Sequence, residues 1–226
     1  MPIKSAFILA FLFLSSAIFG QRLERKHKMG NTTSTFGIFL NTLSLLEPQQ
    51  GAIGVGINYK ISPRWDISAE ANYLFEGFWQ GGDDYTIDGG YRGIITVKRF
   101  SKTRVFFYGI DLRIKHFSFS DKQHFANALT HDTLFNFRHD ANNTLLGAAA
   151  IVGVRLPISK NKKWAFEINT GYGTKYRFVK RKNIPAGYMY YRGEVLKLEY
   201  NFTIDQDVNS ADNIYFPTTV RILYFF

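Results

Sequence analysis

Apolar and polar residues take turns along most of this chain, and a period of two is the signature of β-strands whose faces meet different surroundings. Residues 65–75 show it most completely. Trp65, Ile67, Ala69, Ala71, Tyr73 and Phe75 share one parity, while Asp66, Ser68, Glu70 and Asn72 take the other. The same rhythm predicts strands over 35–43, 52–61, 90–100, from Arg104 onward, 144–158 and 164–178, with an eighth over 214–226. In that last stretch Phe216, Thr218, Val220, Ile222, Tyr224 and Phe226 oppose Thr219 and Arg221. An uncovered apolar row of this kind invites aggregation in water, whereas lipid would cover it.

Two departures carry information. Arg99 falls at the apolar parity beside a turn, and beyond Lys115 the faces exchange: His116, Ser118 and Ser120 take the apolar parity, Phe117 and Phe119 the polar one. That exchange means that the fifth strand has left the membrane or contains a bulge. The connections are of two kinds. Residues 62–64, 101–103 and 159–163 are tight turns, whereas 76–89, 121–143 and 179–213 are long. Leu134 to Arg138 could extend the sixth strand into a protruding hairpin, and 188–191 with 195–202 read as a second hairpin above the barrel. A ten-stranded barrel using that second hairpin is the alternative, disfavoured because Tyr188 to Tyr191 is too short to cross a bilayer.

Composition narrows the setting. The first twenty residues hold Lys4, an apolar run from Ala6 to Leu14 and then small residues, the build of a secretory signal peptide cleaved after Ala17 or Gly20. A basic lead-in over 21–34 precedes a single barrel domain over 35–226. The chain has no cysteine, which excludes disulfides and thiolate metal sites. Past the leader the longest apolar run is the ten residues from Leu145 to Val154, too short for a membrane helix and the length of a membrane strand. The net charge of +10 would suggest nucleic acid in a cytoplasmic protein. Export removes that partner and favours lipid and polyanionic lipopolysaccharide instead.

Alternation alone does not say which face points inward, since a lipocalin-like secreted carrier would hide the apolar one. Short turns alternating with long loops, aromatics at strand ends (Trp65, Trp164, Tyr224 and Phe226; Tyr73, Phe75, Tyr176 and Phe178) and glycines at the polar parity all favour the outward choice. The whole pattern over Thr35 to Phe226 resembles the small eight-stranded outer-membrane barrels of the OmpA and OmpX type. The resemblance implies an all-β fold: an eight-stranded antiparallel up-and-down transmembrane β-barrel with short periplasmic turns and long extracellular loops. It also implies a monomer in the bacterial outer membrane, without the peptidoglycan-binding domain of full-length OmpA-type proteins.

With the polar parity inward, Lys60, Arg92, Lys98, Arg113, Lys115, Arg155, Lys175, Arg177 and Arg221 share the interior with Asp66, Glu70, Asp111 and Glu167. Buried charges must be paired or wet. Each carboxylate is therefore expected to bridge several cations in a side-chain plug, with the surplus at the hydrated ends. Arg221, Glu70 and Asp111 are the expected centre of a network that also draws on Arg113, Glu167 and Arg177. An anion path is the competing reading, and eight strands leave little room for one.

Chemistry beyond the plug is sparse. His116 and Ser118 have the spacing of the His-x-Ser pair of PagL-type lipid A deacylases, which would make Ser118 a nucleophile. Phe119 stands where that family has Asn, and the pair lies on the fifth strand rather than late in the barrel. His124, His131 and His139, with Asp132 and Asp140, share the third outer loop, 121–143, counting the short loop after the first strand as the first and 179–213 as the fourth, at spacings that fit no metal motif. No metal or cofactor is expected. The expected role is non-enzymatic: structural, or binding an external ligand or surface through the third and fourth loops. Tyr188, Tyr190, Tyr191 and Arg192 are the contact candidates, since Tyr and Arg are favoured in interfaces.

Overall fold

Ten strands form where the alternation runs: β1 (Phe36–Asn41), β2 (Gln50–Ser62), β3 (Trp65–Glu76), β4 (Tyr85–Phe100), β5 (Phe106–Asn127), β6 (Thr133–Pro157), β7 (Trp164–Lys182), β8 (Tyr188–Tyr190), β9 (Asn213–Tyr215) and β10 (Thr218–Phe225). The computed structural model describes residues 35–42, 50–76, 85–127, 129–130, 132–190 and 213–226. The leader, the lead-in, Tyr191, Arg192 and the 195–202 arm lie outside the described residues. Strands β1 to β7 pair antiparallel in chain order, and β10 pairs with both β7 and β1. Eight strands thus close a ring.

The eighth strand is not continuous as its alternation suggested. It breaks at Phe216 and Pro217 into β9, which pairs with β7, and β10. Proline has no N–H to give a ladder, so the break falls there. Of the fourth-loop hairpin, β8 pairs with the end of β5, Tyr188 to Tyr190 against Asn127 to Phe125. It stands outside the ring and adds no stave to it.

Several strands run past the expected ends, and the third connection is mostly hairpin rather than loop: β5 reaches Asn127 and β6 starts at Thr133. The exchange of faces past Lys115 is not a bulge in β5. Its register against β6 is unbroken from Phe106 to Gln123. The shift lies in the neighbouring strand, between Ile87 and Gly89, where Gly89 takes a φ of 132°. Phe117 and Phe119 therefore stay on the interior side, and what changes is the environment of each face. Above this level the interior turns apolar, with Ala52, Leu74, Ile87, Phe117, Phe119 and Ala141 packed as one core.

Below it the faces are reversed. Ile53, Val55, Ile95, Ile110 and Leu112 are exposed on the outside, Ile110 at 58%, while Glu70, Asp111 and Arg221 are buried. Aromatic side chains gather at the tight-turn rim of this outer band. The Trp164 and Tyr224 rings lie 4.9 Å apart and those of Tyr224 and Phe226 5.2 Å apart. Arg99 belongs to the same rim: it donates to the Tyr108 hydroxyl at 2.9 Å and lies over the Trp65 ring. Its long stem lets it sit on apolar surface while the charge reaches the edge.

Candidate functional site

The interior is built by register. The tight turn between β6 and β7 sets Arg155 opposite Glu167, and closure of the ring sets Arg221 opposite Glu167 from the other side. Lys98 reaches the same carboxylate from β4, donating to Oε1 at 2.6 Å. Arg155 binds Glu167 Oε2 at 2.7 Å and Asp66 Oδ2 at 2.6 Å. Arg221 places Nη2 2.7 Å from Glu70 Oε2 and Nη1 3.3 Å from Glu167 Oε1. Arg104 completes the chain, donating to Asp66 Oδ1 at 2.5 Å and to the Pro63 carbonyl at 2.6 Å. Asn58 donates to Asp66, and Asn41 to Glu70.

Glu167, not Asp111, is therefore the hub. Asp111 sits apart, accepting from Thr96 at 2.9 Å and pairing with Arg113. Arg177 is buried farther up, opposite Leu145. Arg104 was missed by the alternation because it occupies a turn with φ of 60°. Its signal was local: an arginine two residues ahead of an inward strand, at the end where Asp66 is also inward.

Rings seal this network. Arg155 lies 4.4 Å from the Phe100 centroid, Arg221 4.8 Å from that of Phe39, and Lys98 5.4 Å from that of Phe107. These phenylalanines share the inward face with the charges, and Leu223 and Phe225 join Phe39 in an apolar cluster. The inward glycines make room for them. A Cβ at Gly56 would collide with the Phe39 ring, and one at Gly153 with the Phe107 ring. A cation against a ring face is attracted by the ring quadrupole, and more strongly where water is excluded.

Above the network the interior opens into a cavity of about 470 Å³, with Asn41 in its floor and Leu145 in its roof. Arg92, Arg113, Lys115 and Lys175 line it. Most of the cationic surplus thus lies at the end toward the long connections, while Lys60 and Arg104 sit with Asp66 at the tight-turn end.

No family model matches the chain, and no curated protein matches it either.

His116 and Ser118 lie side by side on the outer face of β5, each engaged with β6. His116 Nδ1 is 2.8 Å from the Thr144 hydroxyl, and Ser118 donates to Asn142 Oδ1 at 3.1 Å. The nearest carboxylate in this ladder, Asp140, accepts from Ser120 at 2.7 Å. The pairings join serine to amide and imidazole to hydroxyl, two register positions apart. His124 packs its ring on Phe135 near the hairpin tip. His139 is turned inward against Phe125, with centroids 5.0 Å apart. Burial holds the His139 imidazole below its ordinary pKa, against the pull of Asp121 and with the help of Arg181. The two histidines do not converge, and His131 lies outside the described residues; among the described residues no three metal-ligating side chains come together.

Proposed function

We propose that this chain is a non-enzymatic outer-membrane β-barrel of the OmpA and OmpX type, with a lumen plugged by side chains and a structural or surface-binding role carried by its third and fourth loops. One observation carries the reading: in the lower barrel the apolar side chains face out and the buried interior holds paired ions. A secreted carrier of apolar molecules needs the opposite arrangement, with its greasy face lining the middle. The outer band from the Trp164 rim to the Tyr176 and Phe178 rim is dressed as a lipid-facing surface, with aromatics at both edges.

Above the band, β5 and β6 continue as a hairpin whose outward residues are polar and whose tip exposes Leu129 and Phe135. In this reading the hairpin projects outside the cell and is joined there by Tyr188 and Tyr190 of the fourth loop.

The plug is tested by conductance. The purified barrel in a planar bilayer is expected to give no stable large channel, because Glu167, Arg155, Arg221 and the rings against them cross the lumen. A steady anion current through the wild-type protein would overturn the plug. The deacylase alternative is tested separately. Ser118→Ala is expected to leave the acylation pattern of lipid A unchanged by mass spectrometry, and a shift toward fully acylated lipid would restore Ser118 as a nucleophile.

A further inference from the structure

We propose that the interior cavity between the ion-pair network and the upper apolar core binds an organic anion through its phosphate groups. Four cationic side chains line it, Arg92, Arg113, Lys115 and Lys175, and no carboxylate is among the lining residues. Asp111 offsets one of these charges through Arg113. Four cations in a lining without a carboxylate concentrate positive charge inside a barrel, where neighbouring like charges repel more strongly than in bulk water. An anion seated among them relieves that repulsion.

The polar groups without a protein partner point to the same place. The Tyr215 hydroxyl, the Thr219 hydroxyl and the Arg113 Nε are buried and have no hydrogen-bond partner among the described residues, and all three residues line the cavity. Arginine forks and lysine point charges together with hydroxyl donors suit the several oxygens of a phosphate.

The shape adds a constraint. A volume of about 470 Å³ is within the range of small-molecule sites and exceeds what one phosphate group fills. Ile94, Leu145 and Phe216 supply apolar wall for the rest of the ligand. Exposed Phe216 and Thr218 stand at the break between β9 and β10, so the lining reaches the surface beside Pro217. Gly147 keeps the space clear: a Cβ there would lie 3.1 Å from both the Arg113 Cγ and the Tyr215 hydroxyl oxygen. Below, Asn41 is tied to Glu70 at 2.7 Å, so the cavity ends on the network and serves binding rather than passage.

The experiment is calorimetric titration of the full-length protein, folded in detergent, with inorganic pyrophosphate and with dihexanoyl phosphatidic acid below its micellar concentration. Saturable binding that weakens with salt is expected for at least one of them. The double variant Lys115→Gln/Lys175→Gln is expected to weaken it at least tenfold. Gly147→Val, which leaves the charge unchanged, is expected to weaken it severalfold by filling the space. The control pair Lys160→Gln/Lys162→Gln, at the tight turn after β6, is expected to change it less than twofold.

Circular dichroism and heat-dependent gel mobility establish folding of each variant, and if the lysine pair does not fold, Lys175→Gln and Gly147→Val carry the test. Tighter binding of phosphatidate identifies a lipid headgroup as the source of the phosphate. Tighter binding of pyrophosphate identifies a soluble anion. Absence of saturable binding to both probes, or an equal loss in the control pair, overturns the proposal.

Discussion

Replacing Glu167 with glutamine is expected to cost about 3–5 kcal/mol of folding free energy, the largest effect of any single substitution in the interior. Lys98, Arg155 and Arg221 all converge on this carboxylate, and none of the four side chains has appreciable contact with solvent. The amide keeps the shape and removes the charge. Lys98, Arg155 and Arg221 would then have only Glu70 and an Asp66 already shared with Arg104, and Lys98 would lose the one salt-bridge partner it has among the described residues. The cost arises mostly from leaving charges buried without a counter-charge, not from the intrinsic worth of the bridges.

Asp111→Asn supplies the comparison. Its partner Arg113 is partly exposed, with 17% of its side chain accessible, so water can take over part of the lost interaction. A smaller loss is expected, roughly 1–2 kcal/mol. Equilibrium urea unfolding of both variants in the same detergent checks the order. An Asp111→Asn loss equal to or larger than that of Glu167→Gln would return the hub to Asp111.

Leu112→Arg is expected to cost about 2–4 kcal/mol when the protein folds into lipid vesicles. Leu112 is 53% exposed on the outer face, opposite Ile95 of β4 at 51%, and lies midway along the apolar band of β5 between Tyr108 and His116. For a barrel surrounded by water the same change at so exposed a position would be within about 0.5 kcal/mol of neutral. The same substitution therefore separates a lipid solvent from an aqueous one. Folding efficiency and urea stability in vesicles measure it, and a Leu112→Arg variant as stable as wild type would remove the membrane reading.

Much of this architecture is written in the alternation itself. Each of the predicted faces keeps its assignment: the odd positions of β2 and β3 and the even positions of β5 and β6 turn outward, and the charged positions between them turn inward. This is legible because a strand has only two faces, so one clear run of side chains decides all of its neighbours. Even the pairing of Arg155 with Glu167 could be counted from the tight turn between them, since both stand six residues from its centre at Asn161.

Other features have no local signal. Phe39, Phe107 and Phe225 break the alternation by adding apolar residues to the polar face, and only their position against Arg221, Lys98 and Arg155 explains them. Phe117 and Phe119 looked like a change of parity. They keep the parity of Asp111 and Lys115 and fill an apolar core above the charged level, while His116 and Ser118 beside them face outward, so the faces exchange their chemistry without a change of register.

The sequence alone thus specified the strands, their two faces and the excess of interior cations, because these depend on neighbours one or two residues apart. Which carboxylate became the hub, where most of the surplus charge collected and that a cavity lies between the ion-pair network and the upper apolar core were decided by closure of the ring. Glu167 meets Arg221 54 positions away and Lys98 69 positions away. Contacts of that span follow from the joint register of eight strands, and no single stretch of the chain encodes it.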